Sequence, residues 1–505
     1  EFYDTHAHNI PQPVLVGDLD GDDELEVVLV EEDGSGSLTV KFIEPTTGDL
    51  IHIDSGMSPL SNMALVNNNH GHEMDVFYVR ASDGWLEGKN GDGTDKDGYP
   101  QDLGLGAGPY YISGGTILSE TIEWVVVAAG RDVNVMNWDG DQWEGWPWTA
   151  PLVAGQINGR VAVGDVDFDG LGELVVPFTN RVAVLDAYGQ VISQFGDGEA
   201  AAGSPSLADF DRDGDLEIVI PRADGTIHVV HHDGTPLTAN WPYDTGAVGM
   251  PSQVALADIA GNDRRDLIFT DASHTVHVMT PAGILVQQWD LGVDPASPVV
   301  EPVVAQVGLG EPAVIVGGPD GRLRVHTLDG SQEGWPRDLP ESILTAVTVA
   351  DIDADGMVEM MVPTSENLWV LDMGVANDDS LSLWPMSGAD SRRSGSVAAD
   401  PAAVSATPPM PASPLALHGT VPNPFNPATS IRFSLPESAP NVSLRVYDVA
   451  GRLVKTLHRG ALPEGDHQVV WRGDDSEGRT VASGVYYCRL EAAGHVRTRS
   501  MVLAR

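Results

Sequence analysis

Short apolar runs alternate with turn signals along most of the chain, and helical periodicity is nearly absent. A representative stretch has an apolar run at 217–220, a turn signal at 223–226 and an alternating run at 227–230. Short runs of apolar and β-branched residues bounded by Gly, Asp and Pro are typical of β-strands. The pattern therefore predicts an all-β protein built from many short strands.

One phrase recurs in the first 400 residues, an apolar run followed by an acidic loop and a second apolar run. Its clear copies span 16–26, 163–173, 207–217 and 349–359, and weaker copies lie at 67–75, at 258–266 and, without acids, near Gln306. An aromatic residue recurs independently every 46 to 49 residues, at Tyr99, Trp146, Phe195, Trp241, Trp289, Trp335 and Trp384. Two unrelated markers with one period indicate a structural repeat.

The length of this repeat predicts a β-propeller. Units of about 40–50 residues with about four short strands are typical of propeller blades, which close into a ring and so protect their edges. Extending the aromatic series back one step reaches Ile51, which gives eight units. We therefore predict a propeller over residues 13–398, eight-bladed or alternatively seven-bladed, with the aromatic residues packed between blades. Residues 1–12 are interpreted as a leader or the end of an upstream region.

The charge of the chain is distributed unevenly. The 27 Lys and Arg residues against 74 Asp and Glu residues give a formal net charge of −47. This balance excludes a nucleic-acid partner, because phosphate binding needs clustered Lys and Arg. All of the negative excess precedes residues 420–505, which carry 11 basic and 8 acidic residues. The stretch 399–419 is rich in Pro, Ala, Ser and Thr and is expected to be a linker. No apolar run reaches the ~18 residues of a membrane span.

Residues 420–505 alternate apolar and polar positions, for example at 431–435 and 485–490, and predict a small Ig-like β-sandwich. The amino-acid sequence at 422–427, 446–452 and 482–486 resembles the FlgD-type immunoglobulin-like domain. It is also similar to the C-terminal sorting domains of type IX secretion. That resemblance implies secretion or cell-surface machinery as a partner, and an extracellular or cell-surface location on a bacterium.

The four clear acidic loops have the donor pattern of a metal site. Carboxylates stand at loop positions 1, 3, 5 and 9, and position 6 is Gly in three copies. Alternate positions of a tight loop project to one side, where their mutual repulsion is relieved by a hard cation. A flexible cage of many carboxylates suits Ca²⁺, so we predict about four Ca²⁺ sites. Their ligands would be Asp18, Asp20, Asp22, Glu26, Asp165, Asp167, Asp169, Glu173, Asp209, Asp211, Asp213, Glu217, Asp351, Asp353, Asp355 and Glu359.

The remaining copies of the loop are poorer in acids. The copy at 67–75 keeps the donor spacing through Asn67, Asn69 and Asp75, of which only Asp75 is an acid. The pair His231-His232 precedes a turn and is interpreted as exposed loop residues. The copy at 258–266 keeps three oxygen donors, and a weak metal site at most is predicted there: Asp258, Asn262 and Asp266.

The Asp-x-Asp-x-Asp-Gly-x-x-Glu loops resemble the FG-GAP/VCBS repeats of integrin-type propellers over roughly residues 10–395. The resemblance implies structural Ca²⁺ in the loops and a face that binds proteins or glycans. We therefore predict a secreted or cell-surface, non-catalytic binding or adhesion module with an extracellular protein or glycan as partner. One alternative is a polysaccharide lyase-like enzyme, because rhamnogalacturonan lyases resemble calcium-bearing propellers. Another is the accessory tail of a larger secreted hydrolase that begins before Glu1.

Overall fold

The computed structural model divides the chain into two units, Glu1–Ala399 and Asp400–Arg505. Asp23, Asn69 and most of the predicted linker lie outside the described residues. No helix in the described part is long and apolar enough to cross a membrane. The structure describes residues 2–3, 9–22, 24–32, 37–45, 50–57, 62–67, 74–80, 82–105, 109–117, 123–138, 140–143, 145–262, 264–308, 311–332, 334–377, 384–390, 394–396, 416–421, 425, 427–435, 439–448, 452–462, 465–476, 479–492 and 495–504.

The described residues of the first unit form eight antiparallel sheets of four or five strands, numbered here in chain order. Sheet 1 contains β2 (Leu15–Gly17), β3 (Glu26–Glu32), β4 (Leu38–Ile43) and β5 (Leu50–Met57). Sheet 2 contains β6 (Ala64–Asn67), β7 (Met74–Val79), β8 (Trp85–Lys89) and β9 (Gln101–Asp102). Sheet 3 contains β10 (Tyr110–Thr116), β11 (Glu123–Ala129), β12 (Asp132–Asn137) and β13 (Trp148–Thr149), followed by a 3₁₀ turn at Leu152–Ala154. Sheet 4 contains β14 (Ala162–Gly164), β15 (Glu173–Pro177), β16 (Val182–Leu185) and β17 (Val191–Phe195).

The second half of the unit repeats this arrangement. Sheet 5 contains β18 (Ser206–Ala208), β19 (Glu217–Pro221), β20 (Thr226–Val230) and β21 (Tyr243–Asp244). Sheet 6 contains β22 (Ala255–Ala257), β23 (Asp266–Thr270), β24 (Thr275–Met279) and β25 (Leu285–Asp290). Sheet 7 contains β26 (Val303–Ala305), β27 (Ala313–Val316), β28 (Arg322–Thr327), β29 (Gly330–Ser331) and β30 (Arg337–Asp338). Sheet 8 contains β31 (Thr348–Ala350), β32 (Met357–Pro363), β33 (Leu368–Ala376) and β1 (Phe2–Tyr3).

The first strands of successive sheets pack against one another and form the inside of a ring. These contacts run from β2 through β26, and β31 packs against β2. Sheets 7 and 8 share one hydrophobic cluster that includes Val303 and Val349. Thr348 Oγ1 donates a hydrogen bond of 2.7 Å to the Val14 carbonyl, and so joins the last sheet to the first. The described sheets therefore form a closed ring, which leaves only short, protected strand edges.

The chain ends contribute to this closure in a way that the sequence pattern does not predict. Phe2 pairs with Trp369, so β1 is the outer strand of sheet 8. The Asn9 carbonyl accepts the N–H of Glu32 at 2.7 Å. Phe2, Tyr3 and Asn9, which lie in the segment that the sequence pattern assigns to a leader or the end of an upstream region, therefore pair with strands of sheets 8 and 1. A two-residue strand is too short to show periodicity, so only pairing with β33 identifies it.

The recurring aromatic residues contact the following sheet. Trp146 Nε1 donates to the Ala187 carbonyl at 3.2 Å, and Trp241 Nε1 donates to the Pro281 carbonyl at 2.8 Å. The ring of Trp289 stacks on His326 with 4.8 Å between centroids. These contacts agree with the predicted packing between neighbouring units.

Trp384 departs from that pattern because the chain turns into the ring instead of forming a fourth strand. Residues 384–390 and 394–396, here called the returning segment, bond to the inner strands of four sheets. The Trp384 carbonyl accepts from Val304, and the Pro385 carbonyl accepts from Val349. The Ser394 and Gly395 carbonyls accept from inner strands β14 and β18. The returning segment thus ties sheets 7 and 8 to sheets 4 and 5.

The second unit consists of two sheets around one hydrophobic core. The order is β34-β35-β38 in one sheet and β37-β36-β39-β40 in the other. The strands are β34 (Ala416–Val421), β35 (Thr429–Leu435), β36 (Ala439–Asp448), β37 (Leu453–Leu462), β38 (Gly465–Trp471), β39 (Gly484–Ala492) and β40 (His495–Leu503). The first described strand of this unit begins at Ala416, before the predicted boundary at 420.

Aromatic residues fix this core. Trp471 is fully buried, packs against Phe425 and Tyr486, and donates its indole N–H to the Asp474 carbonyl at 2.9 Å. Tyr486 donates its hydroxyl to the Ala482 carbonyl at 2.7 Å. The single cysteine, Cys488, lies buried among these residues. The arrangement is the small antiparallel sandwich that the alternating pattern indicates.

Truncation of Trp384 tests the returning segment. Because this indole is fully buried, Trp384→Ala leaves a cavity and should lower the free energy of unfolding by about 3–5 kcal/mol. Urea unfolding of the full chain, followed by circular dichroism, measures the change. Leu152→Ala is the control, since Leu152 is 82% exposed and its truncation should cost less than ~0.5 kcal/mol. Equal small effects of both substitutions would show that the segment does not belong to the core.

Candidate metal centres

Each of the four acid-rich loops joins the first and second strands of a sheet, in sheets 1, 4, 5 and 8. A glutamate at the start of the second strand, loop position 9, accepts a backbone hydrogen bond from the residue at position 2. The four bonds are Leu19 N to Glu26 Oε2 at 2.6 Å, Val166 N to Glu173 Oε2 at 2.9 Å, Phe210 N to Glu217 Oε2 at 2.8 Å and Ile352 N to Glu359 Oε2 at 2.9 Å. We call this bond the glutamate clamp. It holds the two ends of each loop together.

The clamp glutamates are buried with no more than 6% exposure. Burial, followed by the neighbouring loop carboxylates, raises the pKa of Glu173 to about 10 and that of Glu217 to about 8. The same causes raise the pKa of Glu26 and Glu359 to about 7. Among the residues described, Glu26 Oε1 and Glu217 Oε1 have no hydrogen-bond partner. A positive charge in the loop would favour the ionised carboxylates and lower these pKa values.

The aspartate at position 1 shapes the turn. Asp165 accepts the N–H groups of Asp169 and Gly170 at 3.1 and 3.0 Å, and Asp351 accepts that of Gly356 at 3.0 Å. Burial raises the pKa of Asp165 to about 6, with a further contribution from Asp169 and Asp167. The carboxylate at position 1 therefore accepts hydrogen bonds from backbone N–H groups, whereas the side chains at positions 3 and 5 are more exposed.

Position 4 of these loops has left-handed backbone. The φ angles are 82° at Gly21, 54° at Phe168, 66° at Arg212 and 53° at Ala354. This conformation costs a non-glycine residue roughly 1–2 kcal/mol. Three loops keep it without glycine, which turns the side chains at positions 3 and 5 toward position 1. Such strain at one repeated position indicates a function for the loop geometry.

The structure brings most of the predicted ligands together, with donor atoms within 4.8 Å of one another in each group. Four predicted residues fall outside these groups, and they are Glu26, Asp169, Asp209 and Glu359. Of these, Glu26 and Glu359 form clamps, and Asp209 accepts the N–H of Arg212 at 2.6 Å. The groups are Asp18, Asp20 and Asp22; Asp165, Asp167 and Glu173; Asp211, Asp213, Asp215 and Glu217; and Asp351, Asp353 and Asp355.

The acidic side chains of the loops in sheets 2 and 6 have different surroundings. In sheet 6, Asp258 accepts the N–H of Asn262 at 3.0 Å, and burial raises the pKa of Asp266 to about 6. Asp258 and Asp266 join no group of three acidic or histidine side chains among the residues described. In sheet 2, Lys96 Nζ lies 2.6 Å from Asp75 Oδ2, and both side chains are buried. The positive charge in sheet 2 is therefore supplied by the chain itself.

Sequence reasoning missed two residues in sheet 5. Asp215, at loop position 7, joins Asp211, Asp213 and Glu217. His231 was interpreted as an exposed loop residue, but its Nδ1 lies 3.3 Å from Glu217 Oε1. One sequence signal does point to His231, because it comes directly after the third strand of the unit. In an antiparallel sheet the end of the third strand lies beside the start of the second strand, where the acidic loop ends.

The donor sets of sheets 1, 4 and 8 fit a hard divalent cation. Every grouped donor there is a carboxylate oxygen, and Asp351 Oδ1 is buried with no hydrogen-bond partner in the part of the chain that the structure describes. Calcium accepts six to eight such oxygens and tolerates irregular geometry. These residues could therefore hold Ca²⁺.

Comparison with known families identifies two segments. Residues 209–269, which include the acidic loop of sheet 5, match the FG-GAP-like repeat. Residues 423–495 match the FlgD Ig-like domain. The chain thus contains an FG-GAP-like repeat in its first unit and a FlgD Ig-like domain in its second. No curated protein matches the chain.

Solved structures similar to the chain are β-propellers. The Dos1 propeller matches with a TM-score of 0.52 at 11% identity, over 74% of this chain and 95% of that chain. BamB from Moraxella catarrhalis gives 0.47 at 11% identity, over 73% and 99%. The rhamnogalacturonan lyase of Bacillus licheniformis gives 0.49 at 16% identity, over 74% and 72%. At these identities the likeness concerns the fold alone, and the first unit has a propeller fold.

Replacing Glu173 by Gln should have opposite effects with and without calcium. Gln keeps an acceptor for Val166 N–H but removes a buried acid whose pKa is about 10. Because this pKa lies above that of the unfolded chain, the ionisable group destabilises the metal-free fold as pH rises from about 4.5 toward 10. With a chelator at pH 8, Glu173→Gln should therefore raise the melting temperature. With Ca²⁺, the variant should gain less stability than the wild type.

Differential scanning calorimetry measures both effects. Glu341→Gln is the control because Glu341 lies outside the acidic loops and binds Trp369 Nε1 at 2.9 Å. Its response to Ca²⁺ should equal that of the wild type. If Glu173→Gln lowered the melting temperature in chelator and left the gain with Ca²⁺ unchanged, Glu173 would act only as a backbone acceptor.

Proposed function

We propose that the chain is a secreted or cell-surface binding module, a calcium-stabilised eight-bladed propeller followed by an export or anchoring domain. The observation that carries this proposal is the repetition of one loop geometry in four sheets. In each of them a buried glutamate clamp and a left-handed residue at position 4 accompany grouped carboxylates. Acidic turns that were merely solvated would not require the same strained backbone in every copy.

The blade count rests on the sheets of the first unit. Its described residues form eight sheets, and contacts between inner strands close the ring at β31 and β2. The sequence period also gives eight units. We therefore assign one blade to each sheet, with β1 completing the eighth.

A binding role is supported by the face opposite the acidic loops. Asn180, in the turn after β15, donates to the Val153 carbonyl at 2.6 Å, so this turn and the connection from sheet 3 to sheet 4 lie together. The acidic loop adjoins the other end of β15. Leu152 on this connection is 82% exposed, and Val248 on the connection from sheet 5 to sheet 6 is 89% exposed. Exposed apolar side chains on such connections suit contact with a protein or with the apolar face of a sugar.

The second unit supports the export part of the proposal through its match to the FlgD Ig-like domain. We propose that residues 420–505 engage secretion or cell-surface machinery, which would place the propeller outside a bacterial cell. No observation on the described residues favours the alternative of a polysaccharide lyase.

Calcium should stabilise the first unit strongly. After chelation and dialysis, adding Ca²⁺ should raise the melting temperature by on the order of 10 °C, because each site at about 100 times its Kd adds about 2.7 kcal/mol. Titration calorimetry should give about three Ca²⁺ sites in the wild type, those of sheets 1, 4 and 8, and about one in the Asp167→Ala, Asp353→Ala double variant. Asp258→Ala is the control and should leave the number of sites unchanged. No calcium-dependent shift would contradict the metal part of the proposal.

Replacing the exposed apolar residues should abolish ligand binding without changing stability. The triple variant Leu152→Ser, Val153→Ser, Val248→Ser should keep the melting temperature and calcium response of the wild type. Binding to immobilised neutral polysaccharides, acidic polysaccharides and extracellular matrix proteins is measured for both chains. Val191→Ser is the control, because Val191 is exposed on the outer strand of sheet 4. Cleavage of an acidic polysaccharide to unsaturated products would instead support the lyase alternative.

A further inference from the structure

The acidic loop of sheet 5 differs from the other three because a histidine faces it. His231 follows β20 directly, and its Nδ1 lies 3.3 Å from Glu217 Oε1. Donor atoms of Asp211, Glu217 and His231 lie within 4.8 Å of one another. The neighbouring His232 places its Nδ1 3.6 Å from Asp215 Oδ2. This loop therefore combines imidazole and carboxylate donors.

Glu217 supplies an independent indication of a ligand. Its side chain is 0% exposed, and Oε2 accepts the N–H of Phe210 at 2.8 Å. The other oxygen, Oε1, is buried and has no hydrogen-bond partner among the residues described, and His231 Nδ1 lies 3.3 Å from it. A fully buried carboxylate oxygen without a donor is costly unless a cation or a proton meets it. A cation that met this oxygen would lie between Glu217, His231 and Asp211.

The chemistry of this donor set selects the metal. Calcium prefers oxygen ligands, whereas imidazole nitrogen suits zinc and other borderline transition metals. Three protein ligands and one open position for water form a common tetrahedral zinc arrangement. Asp213 and Asp215 belong to the same group of carboxylates and add negative charge around the ion.

Sheet 4 provides an internal comparison. Asp186 follows β16 as His231 follows β20, and both begin a turn of the same kind. Asp186 N donates to the Gln190 carbonyl at 2.8 Å, and His231 N donates to the Thr235 carbonyl at 2.9 Å. Sheet 4 thus has Asp186 in the place that His231 takes in sheet 5. One residue at an equivalent position changes the donor chemistry.

We propose that the loop of sheet 5 is a transition-metal site that binds Zn²⁺ through Asp211, Glu217 and His231. The site goes beyond the calcium function proposed above and is independent of what the loops of sheets 1, 4 and 8 bind. It makes one part of the ring responsive to zinc while the rest of the acidic loops select calcium.

The test uses the full chain, freed of metal by chelation and dialysis. Zn²⁺ is titrated by calorimetry in the presence of millimolar Ca²⁺, and Co²⁺ is used as a spectroscopic probe of four-coordinate nitrogen and oxygen ligation. The wild type should bind one Zn²⁺ that Ca²⁺ does not displace, and Co²⁺ should give the visible bands of a tetrahedral site. His231→Gln should weaken Zn²⁺ binding by at least about 10- to 100-fold and abolish those bands.

Two further variants give the test its controls. His228→Gln makes the same substitution three residues away, where the imidazole hydrogen-bonds Thr226 Oγ1 at 3.1 Å, and should leave Zn²⁺ binding unchanged. Asp186→His places the histidine at the equivalent position of sheet 4 and should create a second Zn²⁺ site with a second set of Co²⁺ bands. Melting temperatures in chelator show that each variant is folded.

Three results would overturn the proposal. They are displacement of Zn²⁺ by millimolar Ca²⁺, Zn²⁺ affinity in His231→Gln equal to that of the wild type, and octahedral Co²⁺ spectra in the wild type. Failure of calcium binding at the other loops leaves these readouts unaffected, so the two proposals fail separately.

Discussion

A buried glutamate bonded to the backbone at the mouth of each acidic loop is the constraint on which the candidate sites depend. The clamp draws positions 1, 3 and 5 together and removes one carboxylate from water, which raises the free energy of its ionised form. Sheet 2 relieves a similar buried acid with Lys96 beside Asp75. The acid-rich loops have no lysine at that place among the residues described, and a bound cation is the proposed equivalent.

The same loops lie on a ring that both ends of the first unit help to close. β1 supplies the outer strand of sheet 8, and the returning segment bonds to the inner strands of sheets 4, 5, 7 and 8. Its buried Trp384 lies in one hydrophobic cluster with residues of sheets 5, 6 and 7. Described residues near both ends of the unit thus bond to sheets that carry acidic loops.

Periodic features of the fold were predictable from sequence because they repeat. The acidic phrase and the aromatic marker located the sheets, the loops and most grouped carboxylates, and alternation located the second unit. Features that occur once were not predictable. β1 is defined by its partner β33, and the aromatic period continues through Trp384 although the chain leaves the pattern there. His231 lies 14 residues after Glu217, and only the folded sheet brings them together.

The central claim, that the clamped loops are cation sites, is tested most directly by a crystal structure of the chain grown with Ca²⁺, using anomalous scattering to locate the ions. The account predicts anomalous peaks enclosed by the carboxylates of sheets 1, 4 and 8, with Asp351, Asp353 and Asp355 as ligands in the last of them. It predicts no peak beside Asp75, where Lys96 supplies the charge. Loops that keep their clamp but contain no ion at saturating Ca²⁺ would contradict it.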